Sequence, residues 1–341
     1  MKKKQNKILV FGYFGYVTNQ LDGQTVKTRS VYELLKDDKN LKVKFADSQS
    51  FRNKPISILK CLKDIICSDV IVWLPAHNNL KYLLPLIWPI AFLSRTRIIY
   101  SVIGGWLLSF IKKLPVHRWM LGRIHRIFAE TSTVKNGLES EYGFNNVELL
   151  YNFRNLDRVS PNKDNVDLRL VFCARINRKK GLETIFNYLD SLPQESRITV
   201  DLYGPIATED EAWFTDNINN HKSARYMGIL QPKDIQSTLN AYDVMVFPTQ
   251  YYTEGLPGTV IDSYFASIPV IATEWLNARE FIKDGKTGII IPFENSQLAF
   301  NTAVNKLDTD RNLLMQMKVG AGIESAFYTA QMARKKILDT L

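Results

Sequence analysis

The sequence predicts an α/β protein of two domains, each a parallel sheet covered by helices. Its length of 341 residues exceeds that of one average domain. Hydrophobic residues make up 45% and charged residues 23% of the chain, the balance of a globular protein. Short apolar segments alternate with helical segments along most of the chain, which is the pattern of parallel α/β sheets.

The first set of alternating segments lies before residue 155. A helix is predicted at 25–35 and another at 132–142, each after a buried strand. The predicted strands are 7–11, 43–45, 70–73, 98–101, 126–129 and 147–150.

A polar segment without periodicity, 152–168, is predicted to link this set to a second one. The second set has predicted strands at 168–174, 198–203, 244–248, 269–273 and 288–291, and predicted helices at 182–189, 232–240, 256–266 and from 297 onward. Two such halves indicate Rossmann-like domains with a ligand-binding cleft between them.

The charge is divided unevenly along the chain. Of the net charge of +10, residues 1–150 carry +12 (23 Lys and Arg against 11 Asp and Glu), and the remainder carries −2 (21 against 23). A basic domain fits nucleic acid, an anionic membrane surface or a phosphorylated substrate, and it equally fits a lysine-rich solvated surface.

The cysteine count and the shortness of the apolar segments favour a cytoplasmic protein. The three cysteines have no metal-ligand spacing and an odd count, which fits a reducing compartment. The apolar segments 82–93 and 98–111 are shorter than the ~20 residues of a membrane span. Because Arg95, Arg97 and Lys112 adjoin them, peripheral contact with the inner membrane face stays open.

One candidate site lies at 247–262, where a strand leads into a loop and then a helix. Gly255 and Gly258 shape the loop, and the helix is predicted to begin near Gly258 or Thr259, with Thr259 as a cap or hydroxyl donor. The first turn of a helix favours a phosphate. Glu254 and Asp262 flank this turn, and carboxylates accept hydrogen bonds from sugar diols. A surface loop with solvated acids is the alternative.

A second candidate site lies at 172–183. A buried strand delivers Arg175 into a short loop, and Lys180 and Gly181 then open a helix. A guanidinium and an ammonium at a strand end form a clamp suited to a diphosphate. Arg178 and Lys179, which lie in the same loop, fit a solvated surface better than a diphosphate clamp.

Together these two segments resemble the donor-binding motifs of glycosyltransferase family 4, whose members have the GT-B fold of two Rossmann-like domains facing each other across a cleft. The resemblance covers nearly all of 168–292, with four motifs in the family's order. It implies that Glu254 contacts the donor sugar, that Asp262 contacts the ribose, and that Arg175 and Lys180 hold the diphosphate. Asp262 departs from the family's usual glutamate and has a shorter side chain.

The resemblance also assigns the rest of the donor site. Backbone groups implied to bind the phosphates belong to Gly255, Leu256, Pro257, Gly258 and Thr259. Those implied to border the base are Gly204, Gly228 and Ile229.

In the first domain the resemblance is weaker. The loop 12–24, with Gly23 and Gln24, resembles the family's glycine-rich loop that faces the diphosphate and the acceptor. Residues 104–106 (GGW) stand where relatives often carry a histidine, and this chain has none there. Glu130 is placed near the cleft, and the hydroxyls after it are predicted to cap a helix.

The family pattern further implies a tail that returns to the first domain. The predicted domains are therefore 1–155 with the tail 323–341, and 156–322. Phe327, Met332 and Ile337, spaced by about one helical turn, are its predicted docking face.

The function implied is a retaining glycosyltransferase with a UDP-sugar donor and a glycan acceptor, expected to be lipid-linked, in capsule, exopolysaccharide or O-antigen synthesis. No Asp-x-Asp or histidine cluster is present, so neither a catalytic metal nor a cofactor is expected. Alternatives are a protein or soluble acceptor and a non-catalytic nucleotide-sugar-binding subunit. A nucleic-acid-binding protein is a further alternative, although no nucleic-acid motif is found and no such partner is expected.

Overall fold

A computed structural model describes residues 6–18, 20, 22–162 and 166–341. The chain divides into two compact units, Met1–Asn155 with Ala330–Leu341, and Leu156–Thr329. The predicted linker 152–168 includes 163–165, and the predicted loop 12–24 includes positions 19 and 21. Those positions lie outside the described residues.

The first unit contains a six-stranded parallel sheet in the order β2-β1-β3-β4-β5-β6. Its strands match the predicted ones to within about two residues at each end. They are β1 (Asn6–Gly12), β2 (Leu41–Asp47), β3 (Val70–Leu74), β4 (Arg97–Ser101), β5 (Arg126–Ala129) and β6 (Val147–Leu149). In register, Val10 lies opposite Phe45 of β2 and Val72 of β3.

In the part of this unit that the structure describes, α-helices connect these strands. They are α1 (Gly23–Lys36), α2 (Ser50–Asn53), α3 (Ile56–Ile66), α4 (His77–Ser94), α5 (Leu107–Lys112), α6 (Pro115–Leu121) and α7 (Ser132–Tyr142). The two apolar segments noted in the sequence fall into α4, which contains Pro85 and Pro89, and into β4 followed by α5. In the described part of the chain, no helix combines the length and apolarity that crossing a membrane requires.

Both faces of this sheet are buried, because successive side chains of a strand point to opposite sides. Leu9 and Phe11 of β1 pack into one apolar cluster, whereas Ile8 and Val10 pack into another. Burial on both faces explains why the strands are continuous apolar segments rather than alternating ones.

The second unit repeats the architecture, with strand order β12-β11-β10-β7-β8-β9. Its strands are β7 (Arg169–Cys173), β8 (Thr199–Tyr203), β9 (Ala224–Tyr226), β10 (Val244–Phe247), β11 (Val270–Thr273) and β12 (Gly288–Ile291). Its helices are α8 (Leu182–Asp190), α9 (Glu211–Asn220), α10 (Ile235–Leu239), α11 (Gly258–Phe265), α12 (Ala278–Phe281), α13 (Gln297–Thr309) and α14 (Arg311–Glu324). The two parallel sheets confirm the predicted fold class.

Three elements of this unit were not predicted: α9, the edge strand β9 and the four-residue helix α12. In α9, Phe214 is the one residue that is fully buried. The predicted helix 232–240 is reduced to α10 (Ile235–Leu239).

The last helix, α15 (Ala330–Asp339), packs in the first unit, where Ala333 and Ile337 join the cluster that contains Ile8. The observed division differs from the predicted one at this end, because the residues from 323 to 329 belong to the second unit. The predicted docking face was also wrong in part. Phe327 and Met332 are 59% and 47% exposed, and only Ile337 of the predicted three is buried. The small side chains of Ala330 and Ala333, which a pattern of large apolar residues does not include, provide the contact.

In each sheet the direction of strand addition reverses once. It reverses between β1 and β3 in the first unit and between β7 and β10 in the second. In parallel α/β sheets, ligands bind beyond the carboxyl ends of the strands at such a switch point. The loops that follow β7 and β10 are therefore the place to look for a site in the second unit.

Candidate functional site

The two segments predicted to bind a diphosphate sugar follow the neighbouring strands β7 and β10. These strands pair in parallel, with Val171 opposite Met245. Their carboxyl ends therefore meet at one edge of the sheet, at the switch point of the second unit. The fold thus brings together loops that lie far apart in the sequence.

A close backbone contact holds the two loops against each other. Gly181 has a φ of +89°, and a Cβ atom at this position would lie 1.9 Å from the carbonyl oxygen of Pro248. The backbone N–H of Gln250 donates to the carbonyl of Lys179 at 2.8 Å. Only glycine permits this approach, since any side chain would collide with the backbone of the second loop.

Lys180 and Glu254 meet across this contact. The ammonium of Lys180 donates to Oε1 of Glu254, and the side chains are 21% and 16% exposed. The lysine Nζ also lies 5.4 Å from the ring centroid of Phe247 and 4.8 Å from that of Tyr251. Aromatic faces attract a cation and fix its position. A carboxylate and a cation are therefore held side by side at the sheet edge.

Two residues that sequence reasoning missed support Glu254. The hydroxyl of Thr249 donates to its Oε1 at 3.3 Å, and the amide of Asn277 donates to its backbone carbonyl at 2.7 Å. Asn277 is buried and follows β11, the next strand along the sheet. A polar residue just after a buried strand is the signal that would have pointed to Thr249, whereas the role of Asn277, four residues after β11, arises from a tertiary contact.

Arg175 lies in the same loop and is exposed. Within the described residues it has no carboxylate partner, whereas Arg178 of this loop pairs with Glu183 and lies 4.9 Å from the Trp213 ring. Burial, foremost, raises the pKa of Tyr251; the Glu254 carboxylate adds to the rise, and Arg175 opposes it. The positive field of Arg175 thus reaches the ring beside Lys180.

Helix α11 begins at Gly258, one of the two predicted starting positions, and Pro257 is its N-cap. Thr259 does not cap the helix, so the predicted capping role of its hydroxyl was wrong. It donates to Sδ of Met245 in β10 at 3.3 Å. Asp262 lies on the second turn and is 8% exposed. Gly255 and Leu256, just before the helix, are buried.

The residues implied to border a base follow β8 and β9. Gly204 has a φ of +141°, and a Cβ there would lie 1.8 Å from the carbonyl oxygen of Ala174. Its N–H donates to the carbonyl of Gly228 at 2.9 Å. Ile229 is 53% exposed beside this contact. These residues therefore share the carboxyl edge that carries the Arg175 loop.

In the first unit, Gly23 and Gln24 open α1, which Asp22 caps. The Gln24 amide donates to the carbonyl of Leu74 at 2.9 Å, and thus joins the start of α1 to the end of β3. Both residues therefore lie at the switch point of the first sheet.

A buried ion pair that the sequence did not predict lies at the carboxyl ends of β4 and β5. Lys27 of α1 contacts Glu130 at 2.9 Å, and both side chains are 3% exposed. Glu130 also accepts from the N–H of Gly104 at 3.0 Å. Thr131 caps α7 as expected, accepting from Val134. Lys27 was overlooked because a lysine on a helix is usually solvated.

Among the described residues, no group of three or more His, Cys, Asp or Glu side chains is arranged to hold a metal ion.

Comparison with known proteins identifies the second unit most directly. Residues 153–321 match the model of the family described as glycosyl transferases group 1. An uncharacterized 41.2 kDa protein in the cps region of Klebsiella pneumoniae is 22% identical over 162 residues, which span 45% of this chain and 43% of that protein.

Solved structures resemble the whole chain. Anabaena Alr3699/HepE, in complex with UDP and glucose, has a TM-score of 0.76 at 15% identity, over 98% of this chain and 99% of its own. Sucrose-phosphate synthase from Thermosynechococcus elongatus has a TM-score of 0.75 at 12% identity, over 98% of both chains. These likenesses confirm the GT-B fold.

The contact between the two loops of the second unit can be tested at Gly181. Gly285 offers a matched control, because its φ is also positive (+74°) and an added Cβ would meet no atom within 4 Å. Gly285→Ala is expected to lower the free energy of unfolding by about 1 kcal/mol, the cost of the left-handed backbone alone. Gly181→Ala should cost at least about 3 kcal/mol, because the loops must also move apart. Urea denaturation measures both, and equal losses would show that the contact does not constrain the loops.

Proposed function

We propose that this chain, whose residues 153–321 match the model of the glycosyl transferases group 1 family, transfers a sugar from a UDP-sugar to a glycan acceptor with retention of configuration. The observation that carries the proposal is the contact between Lys180 and Glu254 at the switch point of the second sheet. In a sugar nucleotide the diphosphate and the sugar hydroxyls are adjacent, so their binding groups must be adjacent too.

In the proposed mechanism the cations act on the leaving group. As the bond between the sugar and the diphosphate breaks, negative charge develops on the diphosphate. Arg175, Lys180 and the N–H groups of the first turn of α11 stabilise it, and fixed donors do so without reorganisation. Glu254 accepts hydrogen bonds from the sugar hydroxyls. Lys180 lies between, and its charge reduces the repulsion between Glu254 and the diphosphate.

The remaining donor contacts follow the same edge. We propose that Asp262 holds the ribose hydroxyls, directly or through a water that compensates for its shorter side chain. The backbone around Gly204, Gly228 and Ile229 borders the base. The UDP complex of the Anabaena neighbour supports uridine as that base.

For the acceptor we propose a lipid-linked glycan at the cytoplasmic membrane face, in the assembly of a surface polysaccharide. The relative in a cps region supports polysaccharide synthesis. The excess positive charge of residues 1–150 supports an anionic surface nearby. The neighbour named sucrose-phosphate synthase favours the second candidate, a soluble acceptor.

The clamp is tested by Arg175→Ala, with Arg178→Ala as the control from the same loop. Losing a charge-assisted contact to the diphosphate should weaken UDP binding by about 1.5–3 kcal/mol, or about ten- to a hundredfold in Kd. Arg178 already pairs with Glu183, so its removal should leave the Kd nearly unchanged. Titration calorimetry with UDP compares the two variants. Unchanged UDP affinity in both Arg175→Ala and Lys180→Ala would remove the clamp from the proposal.

Glu254 is expected to affect transfer rather than nucleotide binding. Glu254→Gln should slow transfer at least tenfold, roughly the effect of losing one charged hydrogen bond. UDP affinity should stay constant or rise, because Lys180 loses its carboxylate partner. Glu183→Gln, the control, should leave both quantities unchanged. A wild-type chain that binds UDP-sugars but transfers from none of them would instead be a non-catalytic binding subunit.

The clamp is also proposed to replace a divalent metal. Transfer by the wild-type chain should therefore persist in excess EDTA, since two basic side chains and a helix N-terminus already neutralise the diphosphate. The initial rate with and without EDTA measures this. Loss of transfer that Mg²⁺ or Mn²⁺ restores would show that the clamp alone is insufficient.

A further inference from the structure

A second charged region lies in the first unit. Residues 70–129 contain no Asp or Glu, although the chain has 34 acids in 341 residues. The same sixty residues carry eight basic ones: Lys81, Arg95, Arg97, Lys112, Lys113, Arg118, Arg123 and Arg126. They account for +8 of the net charge of +10, so the basic character of the chain is concentrated in one segment.

Three of these arginines line a pocket of about 260 Å³. The pocket is formed by the end of α4, the start of β4 and the turn before β5. The lining side chains that matter here are Trp88, Phe92, Arg95, Arg97, Arg123 and His125. Because it adjoins the amino ends of β4 and β5, the pocket lies at the edge of the first sheet opposite the one that carries Gln24. It is therefore separate from the groups assigned to sugar transfer.

The arginines of the pocket keep hydrogen-bonding capacity for an anion. Arg97 donates to a main-chain carboxylate oxygen of Leu341, the last residue of the sequence, and Arg123 donates to the backbone carbonyl of Trp119 at 3.2 Å. Within the described residues, neither Arg95 nor Arg123 pairs with a side-chain carboxylate, whereas Arg97 is engaged by Leu341. Each guanidinium has five N–H donors, so most remain available. The carboxyl end of α4 contributes only about half a negative charge, which three arginines outweigh.

An aromatic and apolar rim adjoins the pocket. The Trp88 ring stacks on Phe92 at 5.3 Å and contacts Trp119 at 5.0 Å, and Arg123 lies 4.4 Å from the centroid of Trp119. Phe92 is 69% and Leu93 82% exposed. Tryptophan and exposed apolar side chains beside basic ones are typical of residues at a lipid interface.

We propose that this pocket binds the phosphate of an anionic phospholipid head group, with Phe92 and Leu93 entering the acyl region beside it. The basic lining complements the phosphate, and the exposed rim distinguishes a lipid from a free anion. This inference depends on the membrane part of the proposed function, and it is independent of the transfer chemistry.

The test compares variants of equal charge change. Arg95→Ala/Arg123→Ala removes two charges from the pocket, and Lys112→Ala/Lys113→Ala removes two exposed charges at the carboxyl end of α5 in the same acid-free segment. Co-sedimentation is measured with vesicles of phosphatidylcholine alone and mixed with phosphatidylglycerol. Wild type should bind only the mixed vesicles. The pocket variant should lose about thirtyfold in affinity and the α5 variant about threefold or less. Phe92→Ser/Leu93→Ser should also weaken binding.

Several results would overturn this proposal. Equal losses in the two charge variants would mean diffuse attraction without a pocket. If glycerol 3-phosphate binds saturably and with the same affinity as the vesicles do, the ligand of the pocket is a soluble phosphate and not a lipid. A dimer in solution that the Phe92→Ser/Leu93→Ser change dissociates would place a second copy on the rim. UDP affinity, measured in parallel, should stay at the wild-type value in all variants. Its loss would indicate misfolding, and Arg95→Lys/Arg123→Lys, which keeps the charge, would then replace the alanine pair.

Discussion

The approach of the Gly181 backbone to the carbonyl of Pro248 is the constraint on which the candidate site depends. It brings the loop after β7 against the loop after β10 and lets Lys180 reach Glu254, 74 residues further along the chain. A larger residue at 181 would separate the cation from the carboxylate. The chemistry of the site therefore follows from a steric property of one glycine and from the strand order that makes β7 and β10 neighbours.

The exposure of the ion pairs separates structural from functional ones. Lys27–Glu130 in the first unit and Lys318–Asp243 in the second have side chains only 1–3% exposed. Breaking such a pair leaves a buried charge uncompensated, which costs about 3–5 kcal/mol, so these pairs specify the fold. Lys180–Glu254 is partly exposed, and each partner can exchange part of its contact for a ligand. A pair with this intermediate exposure suits a binding site better than a fully buried one.

Much of this architecture is readable from the sequence because the strands are buried on both faces and appear as continuous apolar segments. β5, α7 and β12 have their predicted bounds. Elements with little burial, such as β9, leave no such signal. At the site, the phosphate-binding chemistry of Arg175, Lys180 and Glu254 was recognisable from residue type and position after a strand. Asn277 and Lys27 were not, because their roles arise from tertiary contacts. Thr259 is the opposite case, because the sequence predicted a capping role that the structure does not show. Pro257 is the N-cap, and the Thr259 hydroxyl donates to the sulfur of Met245 in the packed core.

The placement of α15 has a consequence for the biosynthesis of the chain. The first unit is closed by residues 330–341, and the whole of the second unit is encoded between its two parts. During translation, Ile8, Val10 and Val31 occupy a face whose covering residues, Ala333 and Ile337, emerge from the ribosome only after the second unit. The second unit is contiguous and can fold as soon as it is synthesised. The amino-terminal half thus completes its core only after the carboxyl-terminal half has been made, which reverses the usual N-to-C order of domain maturation.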